Sequence, residues 1–356
     1  DKLKALGAAA MRSVSVENIE LLADGCLTTL SNGEAIKSKF IIGADGSRSF
    51  VREHFKVPFQ IVRPQIIWAV IDGVLETDFP KVPEIIVFQN ETSDVAWIPR
   101  EGSIDRFYIR MDTHEFTIED AMAKINQATL PHTLSFKEVT WFSQFSVKES
   151  VADQFFVNDR VFLAGDSCHI HSVNGGQGLN TGLADSFNLM WKLNMVMNHN
   201  FPVELLQSYE AERRPVALSV IEASGELVRS TKYSETNTHA LDYIKIVQKR
   251  AGNITGMGIR YGSEGLAGQR LFDFKIGDKR IYSMLAYTHY TLLVFGDESV
   301  ELEFPSFIKK IHIDTSMCTV GGYKNQAILV RPDSYIEAAS SIENIQSLLS
   351  EANLRA

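Results

Sequence analysis

The stretch from Val161 to Met197 restricts the fold more than any other part of the sequence. It begins with a short apolar strand that ends in Gly165-Asp166, continues through a glycine-rich loop to Gly178, and then enters a long helix. In that helix, apolar residues recur every three or four positions, which places them on one helical face. They are Leu179, Leu183, Phe187, Met190, Leu193 and Met197. This order is typical of α/β folds, which bind ligands at the carboxyl ends of their strands.

The residues around this loop suit a ligand that carries hydroxyl groups and negative charge. The carboxylate of Asp166 can accept hydrogen bonds from hydroxyl groups at the edge of the sheet. Glycines let the backbone approach a ligand closely, and the first N–H groups of a helix stabilise negative charge. We therefore predict that a ligand contacts Gly165, Asp166, Gly175, Gly176, Gly178, Leu179 and Asn180.

A second motif of similar design follows the apolar run Phe40–Ala44. The chain bends at Asp45-Gly46, and Ser47 can cap a following helix. We predict that Asp45 and Gly46 also contact the ligand. Taken alone, the motif is equally consistent with an ordinary strand-to-helix turn, because Asp-Gly bends are common.

Composition excludes several classes of partner. The chain has 356 residues and a net charge of -9, so no basic excess is available for nucleic acid or an anionic membrane surface. Its longest apolar runs, such as Ile66–Ile71, are far shorter than the roughly 20 residues of a spanning helix. Three scattered cysteines and the absence of a visible secretory signal favour a reducing compartment, and we expect a cytoplasmic protein without a metal site.

Patterning divides the chain into regions. Short strands separated by turn residues predict a β-meander between Ile19 and Leu30, and β-rich runs between Pro58 and Met111 predict a separate antiparallel sheet. Thr117–Ala128 reads as a helix capped by Thr117, and Val203–Arg229 as mainly helical. Further strands and a final helix over Ser341–Leu348 predict a small α/β domain at the end of the chain.

Together, the two motifs resemble the Asp-Gly and Gly-Asp fingerprints of flavin-dependent aromatic hydroxylases with the para-hydroxybenzoate hydroxylase fold. The resemblance extends over residues 19–217 and includes Tyr209–Pro215. It implies an α/β chain with a Rossmann-like FAD/NAD(P)-binding domain and an inserted antiparallel β-sheet domain for the substrate. It also implies FAD as cofactor and a reaction in which NAD(P)H, O2 and a flavin C4a-hydroperoxide hydroxylate an aromatic ring.

A finer resemblance is to the phenol 2-monooxygenase branch of that family. Ile98–Glu101 and Arg106–Ile109 are similar to strands that carry active-site residues there. The resemblance implies that Tyr108 hydrogen-bonds the phenolic oxygen or the flavin region, that Arg106 helps to position the flavin, and that Trp97 and Tyr108 line the substrate site. Alternatively, these are ordinary strand residues, since strands favour aromatic side chains. The branch also implies a homodimer and a C-terminal thioredoxin-like domain, here without a Cys-x-x-Cys pair.

The resemblance divides the chain into a partial FAD-binding domain (1–57 and 148–200), a substrate domain (58–147), a helical continuation (201–268) and the thioredoxin-like domain (269–356). The family's Gly-x-Gly-x-x-Gly turn for the ADP group does not occur in these residues. The alternative hypothesis is therefore a truncated, non-catalytic homologue that acts as a binding protein. A flavin oxidase or reductase of the same fold is a further alternative. We expect His169 and Cys168 to be structural rather than catalytic.

Overall fold

The computed structural model describes residues 2–62, 66–88, 95–172, 176–232, 245, 247–262, 265–296, 304–314, 316 and 323–354. Helices in these ranges are α1 Lys2–Ala5, α2 Phe50–His54, α3 Ile118–Thr129, α4 Gly178–Asn198, α5 Gln207–Lys232, α6 Ala251–Ile254 and α7 Ile345–Leu354. The strands are β1 Val16–Leu22, β2 Gly25–Leu30, β3 Ala35–Ser38, β4 Ile41–Gly43, β5 Phe59–Ile61, β6 Ile66–Thr77, β7 Ile86–Phe88, β8 Val95–Pro99, β9 Ile104–Met111, β10 Leu134–Val147, β11 Ser150–Ala152, β12 Phe156–Val157, β13 Val161–Leu163, β14 His169–Ile170, β15 Lys275–Ile276, β16 Lys279–Arg280, β17 Tyr290–Phe295, β18 Ile308–Ile313, β19 Gln326–Val330 and β20 Ile336–Ser341. Short 3₁₀ helices lie at Gly165–Ser167, Val203–Leu206, Ile281–Ser283 and Ile342–Asn344.

The predicted β-meander is confirmed as the antiparallel sheet β1-β2-β3. The chain then enters β4, which pairs in parallel with β13, while β12 lies antiparallel on the other side of β13. Because β4 and β13 run in the same direction, the two Asp-containing motifs follow at the same edge of one sheet. Although the run at 40–44 is apolar, Ile42 is 40% exposed, because β4 is the outer strand of this described sheet.

Five antiparallel strands form the largest sheet, in the order β10-β6-β9-β8-β7. One face is covered by α3, whose Ala121 and Ile125 are fully buried in the same core as Phe107 and Ile109. The start of α3 is as predicted: the Thr117 side chain accepts from the N–H of Asp120, and the Asp120 carboxylate accepts from the N–H of Thr117. Since side chains alternate along a strand, every second residue of these strands points to the opposite face, which α3 does not cover.

The apolar residues that gave α4 its helical pattern do not form the face that packs against the rest of the molecule. Most of these residues are exposed, Leu179 by 77% and Leu183 by 59%, and only Leu193 is buried. The buried face instead contains polar and charged side chains, among them Asp185 and Lys192. These side chains can be buried because each pairs with a side chain of opposite charge on α5, Asp185 with Arg213 and Lys192 with Glu212.

The C-terminal sheet has the order β18-β17-β19-β20. Strands β17 and β18 are parallel, and the other two pairs are antiparallel. The sheet separates two apolar clusters, one shared with Trp191 and Met195 of α4 and the other formed with the preceding segment from Leu271 to Leu285. We predicted β17, β18 and β19 but not β20, and the final helix begins at Ile345 rather than at Ser341 because β20 and a 3₁₀ turn precede it.

Helix α5 continues without interruption past Pro215, in agreement with the predicted helical stretch after residue 203. Within the described ranges, no helix is both long enough and apolar enough to cross a membrane.

Candidate cofactor and substrate site

The two Asp-containing motifs meet at the carboxyl ends of β4 and β13. Gly43 and Leu163 are paired residues of the two parallel strands, and the Ser167 hydroxyl donates to the Gly43 carbonyl at 2.6 Å. The buried guanidinium of Arg52 joins the turns further, because it donates to the carbonyls of Ser167 and Ser47, both at 2.9 Å. The sequence motifs therefore form one continuous rim.

Both carboxylates of this rim reach the surface. Asp45 is exposed, and its Oδ2 atom accepts from the Val51 N–H at 3.0 Å, which leaves its other oxygen available. Asp166 is also exposed and lies in the 3₁₀ turn after β13. Gly46 has a φ of +82°, which only glycine adopts readily, and no atom lies within 4 Å of where its Cβ would be. A ligand with hydroxyl groups has free access to this rim.

The turn at Gly165 lies directly on the start of α4. Gly165 has a φ of +63°, and a Cβ on Gly182 would lie 3.2 Å from the Gly165 Cα, so two glycines allow this close approach. Gly176 and Gly178 have open space above them, and Leu179 and Asn180 are exposed. Helix α4 has no acidic residue in its first turn, so its N-terminal amides remain favourable for an anion. The predicted contact Gly175 lies outside the described residues.

Asp185 holds this loop in place from beneath. It is fully buried, and its Oδ2 atom accepts from the Gly165 N–H at 3.1 Å and from Nε2 of His169 at 2.5 Å. Its Oδ1 atom accepts from Nε of the buried Arg213 at 2.8 Å. Burial alone would raise the pKa of Asp185, but the His169 hydrogen bond and the Arg213 charge outweigh it and lower the pKa. Asp185 is thus an ionised carboxylate with three donors.

The ionised Asp185 orients a pair of buried histidines. A carboxylate only accepts, so His169 donates from Nε2 to Asp185, and its Nδ1 atom shares a hydrogen bond with Nε2 of His171 at 2.9 Å. The Nδ1 atom of His171 is buried, and the described residues provide no partner for it. Burial lowers the pKa of His171 to about 3, so it is neutral at physiological pH. These contacts agree with the predicted structural role of His169.

The neighbouring Cys168 is a buried thiol. Burial raises its pKa well above the ordinary value, which makes a nucleophilic thiolate unfavourable. Cys168, His169 and Asp185 place possible metal ligands within 4.8 Å of one another. However, Asp185 already binds the Arg213 cation and the His169 N–H, so this arrangement does not suit a metal ion.

On the face of the five-stranded sheet opposite α3, Arg106 forms a two-point ion pair with Asp72. Its Nε and Nη2 atoms each lie 2.7 Å from an Asp72 oxygen, and Arg100 adds a third contact at 2.7 Å. The hydrogen bond from Arg106 lowers the pKa of Asp72 and raises that of Arg106. We predicted that Arg106 positions a flavin, but its guanidinium is engaged within the sheet, and only Nη1 faces the Tyr108 hydroxyl, at 3.5 Å.

Tyr108 lies where the sheet meets the loop after β13. It is half-buried and packs against the buried cluster of Ile66, Trp68 and Val147, and Ile170, the residue between the two histidines, packs against the same cluster. Its ring also meets Phe145 edge-on, with ring centroids 6.3 Å apart. The indole N–H of Trp68 is buried and has no partner among the residues described. This shared cluster connects the sheet face of Tyr108 with β14, the strand that follows the Asp166 turn.

Trp97 does not share this face with Tyr108, and its predicted role as a substrate wall needs correction. Its side chain is fully buried beneath α3, stacked on Phe107 with ring centroids 5.4 Å apart, and its indole donates to Asp105 at 2.9 Å. The reason is register: Trp97 pairs with Phe107, whereas Tyr108 points to the opposite side. Trp97 is a core residue of the sheet.

The sequence interpretation overlooked Asp72, Asp185 and Arg213. The first two had a visible signal, because each is a carboxylate in a stretch that is otherwise largely apolar and is predicted to form a strand or helix. Arg213 lies within Tyr209–Pro215, a stretch noted only for its family resemblance. Its partner Asp185 lies 28 residues away in the sequence, on another helix, so the pairing produces no local sequence pattern.

Behind this site, a buried charge network connects α4 and α5 with the C-terminal sheet. Glu212 accepts from Lys192 at 2.9 Å and, with both oxygens, from Arg331 at 2.7 and 2.8 Å. Burial would raise the pKa of Glu212, but the positive charges outweigh it and lower the pKa to about 2. Burial lowers the pKa of Lys192 to about 8, so this ammonium is charged at neutral pH.

We expect this network to lose stability in acid. In the unfolded chain Glu212 binds a proton near pH 4.5, whereas in the folded chain it stays charged until about pH 2. Since the unfolded state takes up the proton first, lowering the pH to 3 should remove about 2 kcal/mol of the free energy of unfolding. Urea denaturation at pH 6 and pH 3 measures this loss. Glu212→Gln should show a smaller pH dependence than the wild type, and an equal dependence would contradict the assignment.

Comparison with known proteins agrees with this geometry. A family model described as "FAD binding domain" matches residues 8–224. A phenol 2-monooxygenase of Aspergillus fumigatus is 30% identical over 331 residues, which is 83% of this chain and 54% of that protein. A 3-hydroxybenzoate 4-monooxygenase of Comamonas testosteroni is 33% identical over 264 residues, covering 66% of this chain and 41% of that protein. The chain therefore spans about half or less of the length of these relatives.

The solved structure of the anhydrotetracycline hydroxylase OxyS from Streptomyces rimosus superimposes with a TM-score of 0.77 at 26% identity. The match covers 98% of this chain and 76% of that one, so the inserted sheet and the C-terminal sheet are included in it. The family model in turn covers both Asp-containing motifs and Arg213. From these matches, we conclude that the chain belongs to the FAD-binding domain family of flavoprotein monooxygenases.

Proposed function

We propose that this chain provides the catalytic part of an FAD-dependent, NAD(P)H-using monooxygenase that hydroxylates a phenolic or other aromatic substrate. One observation carries the proposal. The rim formed by Asp45, Asp166 and the start of α4 is connected with the sheet face that bears Tyr108, because Ile170 of β14, which follows the Asp166 turn, packs on the same apolar cluster as Tyr108. A cofactor on the rim and a ring on the sheet would then be neighbours.

The donors and acceptors of the rim fit FAD. The exposed carboxylates of Asp45 and Asp166 suit the hydroxyl groups of the ribityl chain and ribose, and the open glycines Gly46, Gly176 and Gly178 let a flat ring approach the backbone. The amides at the start of α4 would face the pyrimidine end of the flavin ring, where negative charge gathers on reduction. When bound, the flavin supplies the oxygen chemistry, and the protein supplies position and electrostatics.

The substrate would lie against Tyr108. The Tyr108 hydroxyl is oriented by Arg106, which Asp72 and Arg100 hold in place. Because its oxygen accepts from Arg106, the Tyr108 O–H would donate to the substrate oxygen and so stabilise the ionised phenolate, whose ring is more electron-rich. Trp68, Phe145 and Ile170 form an apolar floor that excludes water from the same side.

The remaining assignments rest on the resemblance and on strand topology. For the C-terminal sheet we propose a thioredoxin-like unit, supported by the order β18-β17-β19-β20 and by its one parallel and two antiparallel pairs. Since the sequence contains no Cys-x-x-Cys pair, we assign it a structural role. The proposed domain boundaries and the homodimer follow the phenol 2-monooxygenase branch.

Replacement of Tyr108 tests the proposed substrate site. In FAD-loaded protein, Tyr108→Phe should lower the hydroxylated product formed per NADPH consumed by about tenfold, because the phenolic oxygen loses a hydrogen bond that is stronger when that oxygen is charged. Product yield and NADPH oxidation are measured together with simple phenols. Tyr287→Phe, at an exposed tyrosine, serves as the matched control. An unchanged yield in Tyr108→Phe would remove this residue from the site.

A further inference from the structure

We propose that Tyr261, which is anchored on the C-terminal sheet, is a positioning residue for the cofactor loop at Gly165. It would act through two buried side chains, Arg213 and Asp185. The C-terminal unit would then do more than pack against the rest of the molecule, because it would set how firmly the loop is held for FAD. The effect on affinity rests on the proposed FAD-binding function, while the effect on the loop itself does not.

A continuous chain of hydrogen bonds supports this proposal. The Tyr261 hydroxyl accepts from Nη1 of Arg213 at 2.8 Å. Arg213 in turn donates from Nε to Oδ1 of Asp185 at 2.8 Å, and from Nη2 to the Thr181 carbonyl of α4 at 3.2 Å. The other oxygen of Asp185 accepts from the Gly165 N–H at 3.1 Å. Tyr261 and the cofactor loop are therefore joined by two side chains that are both almost completely buried.

Tyr261 itself belongs to the C-terminal unit. Its backbone N–H donates to the Gly268 carbonyl at 2.8 Å, and the Gly268 N–H donates to the carbonyl of Ile336 in β20 at 2.7 Å. Its ring lies against that of Tyr335, with centroids 4.3 Å apart, and beneath the Arg331 guanidinium at 5.1 Å. Because the ring and the backbone are both fixed to this unit, the hydroxyl presents a rigid acceptor to Arg213.

This series of hydrogen bonds can influence the affinity for FAD for a physical reason. Arg213 is a buried cation with only three described polar partners, so losing one of them favours a shift of its guanidinium toward a replacement. Such a shift changes the direction of the Asp185 carboxylate and weakens its bond to the Gly165 N–H. A loop that is less well held must be ordered when a ligand binds, and that ordering lowers the affinity.

Tyr261→Phe is the appropriate test, because phenylalanine keeps the ring contact with Tyr335 and removes only the hydroxyl. Hydrogen exchange of the Gly165 amide, measured without FAD, should become about tenfold faster. The Ile125 amide of α3 in the same sample should exchange at the wild-type rate, which separates local loosening from global unfolding. The dissociation constant for FAD, measured by the change in flavin fluorescence, should rise by about fivefold to tenfold.

Tyr282→Phe is the matched control. Tyr282 is in the same unit and donates its hydroxyl to the Leu271 carbonyl, but its recorded contacts do not reach α4 or α5. It should leave both the Gly165 exchange rate and FAD affinity unchanged. The proposal is overturned if Gly165 exchange in Tyr261→Phe equals that of the wild type, or if Ile125 accelerates by the same factor. If the wild-type chain binds no FAD, the proposed function fails, whereas the exchange experiment still decides the role of Tyr261.

Discussion

Asp185→Asn is expected to lower the free energy of unfolding by about 3 to 5 kcal/mol, the usual cost of leaving a buried charge without its partner. Asparagine has one acceptor oxygen where the carboxylate serves three donors, from Gly165, His169 and Arg213. Its amide nitrogen would face one of these donors. The Arg213 guanidinium, almost completely buried, would lose its counter-charge.

The same substitution should weaken FAD binding by at least tenfold in protein that remains folded, because the Gly165 turn loses its support. Urea denaturation and FAD titration measure the two effects separately. Asp278→Asn makes the same chemical change at an exposed position and should leave both quantities unchanged. A stability loss in Asp185→Asn below about 1 kcal/mol would show that this carboxylate does not hold its three donors as assigned.

Arg331→Met should produce a loss of similar size, about 3 to 5 kcal/mol, by a different route. Methionine keeps much of the side-chain volume beneath Trp191, but it leaves Glu212 and Asp333 without the guanidinium that contacts both carboxylates at 2.7 to 2.9 Å. Without it, burial should raise the pKa of Glu212. Protonation in the folded state then relieves part of the penalty, so the stability gap to the wild type should narrow between pH 7 and pH 5.

The control for this variant is Arg280→Met. Arg280 pairs with Asp273 at 3.1 Å but is 56% exposed, and exposed pairs contribute at most about 1 kcal/mol. Thermal or urea unfolding at the two pH values compares the variants directly. A gap between Arg331→Met and the wild type that stays constant or widens on acidification would contradict the assignment of Glu212 and Asp333 as its partners.

Local patterns were sufficient to predict much of the fold. The meander turns, the cap at Thr117 and three of the four strands of the C-terminal sheet are set by neighbouring residues, which is why their positions followed from sequence. The rim was predictable for a similar reason. Once two apolar strands each end in an Asp-Gly or Gly-Asp turn, a parallel sheet brings both carboxylates to the same edge.

The sequence was misleading where burial depends on partners distant along the chain. The apolar stripe of α4 gave a clear helical pattern, but the face that packs inward carries Asp185 and Lys192, whose counter-charges lie on α5. The family resemblance placed Trp97 and Tyr108 together in one substrate site. Only strand register, set by pairing across the sheet, shows that they lie on opposite faces.

The most direct test of the central claim is an FAD titration of the purified 356-residue chain, followed by its visible spectrum and flavin fluorescence. Far-ultraviolet circular dichroism of the same sample shows that the chain is folded. The account predicts saturable binding of one FAD per chain and a shifted flavin spectrum, as expected for a ring held against the glycine-rich loop. A folded chain that leaves the spectrum of added FAD unchanged would contradict the account.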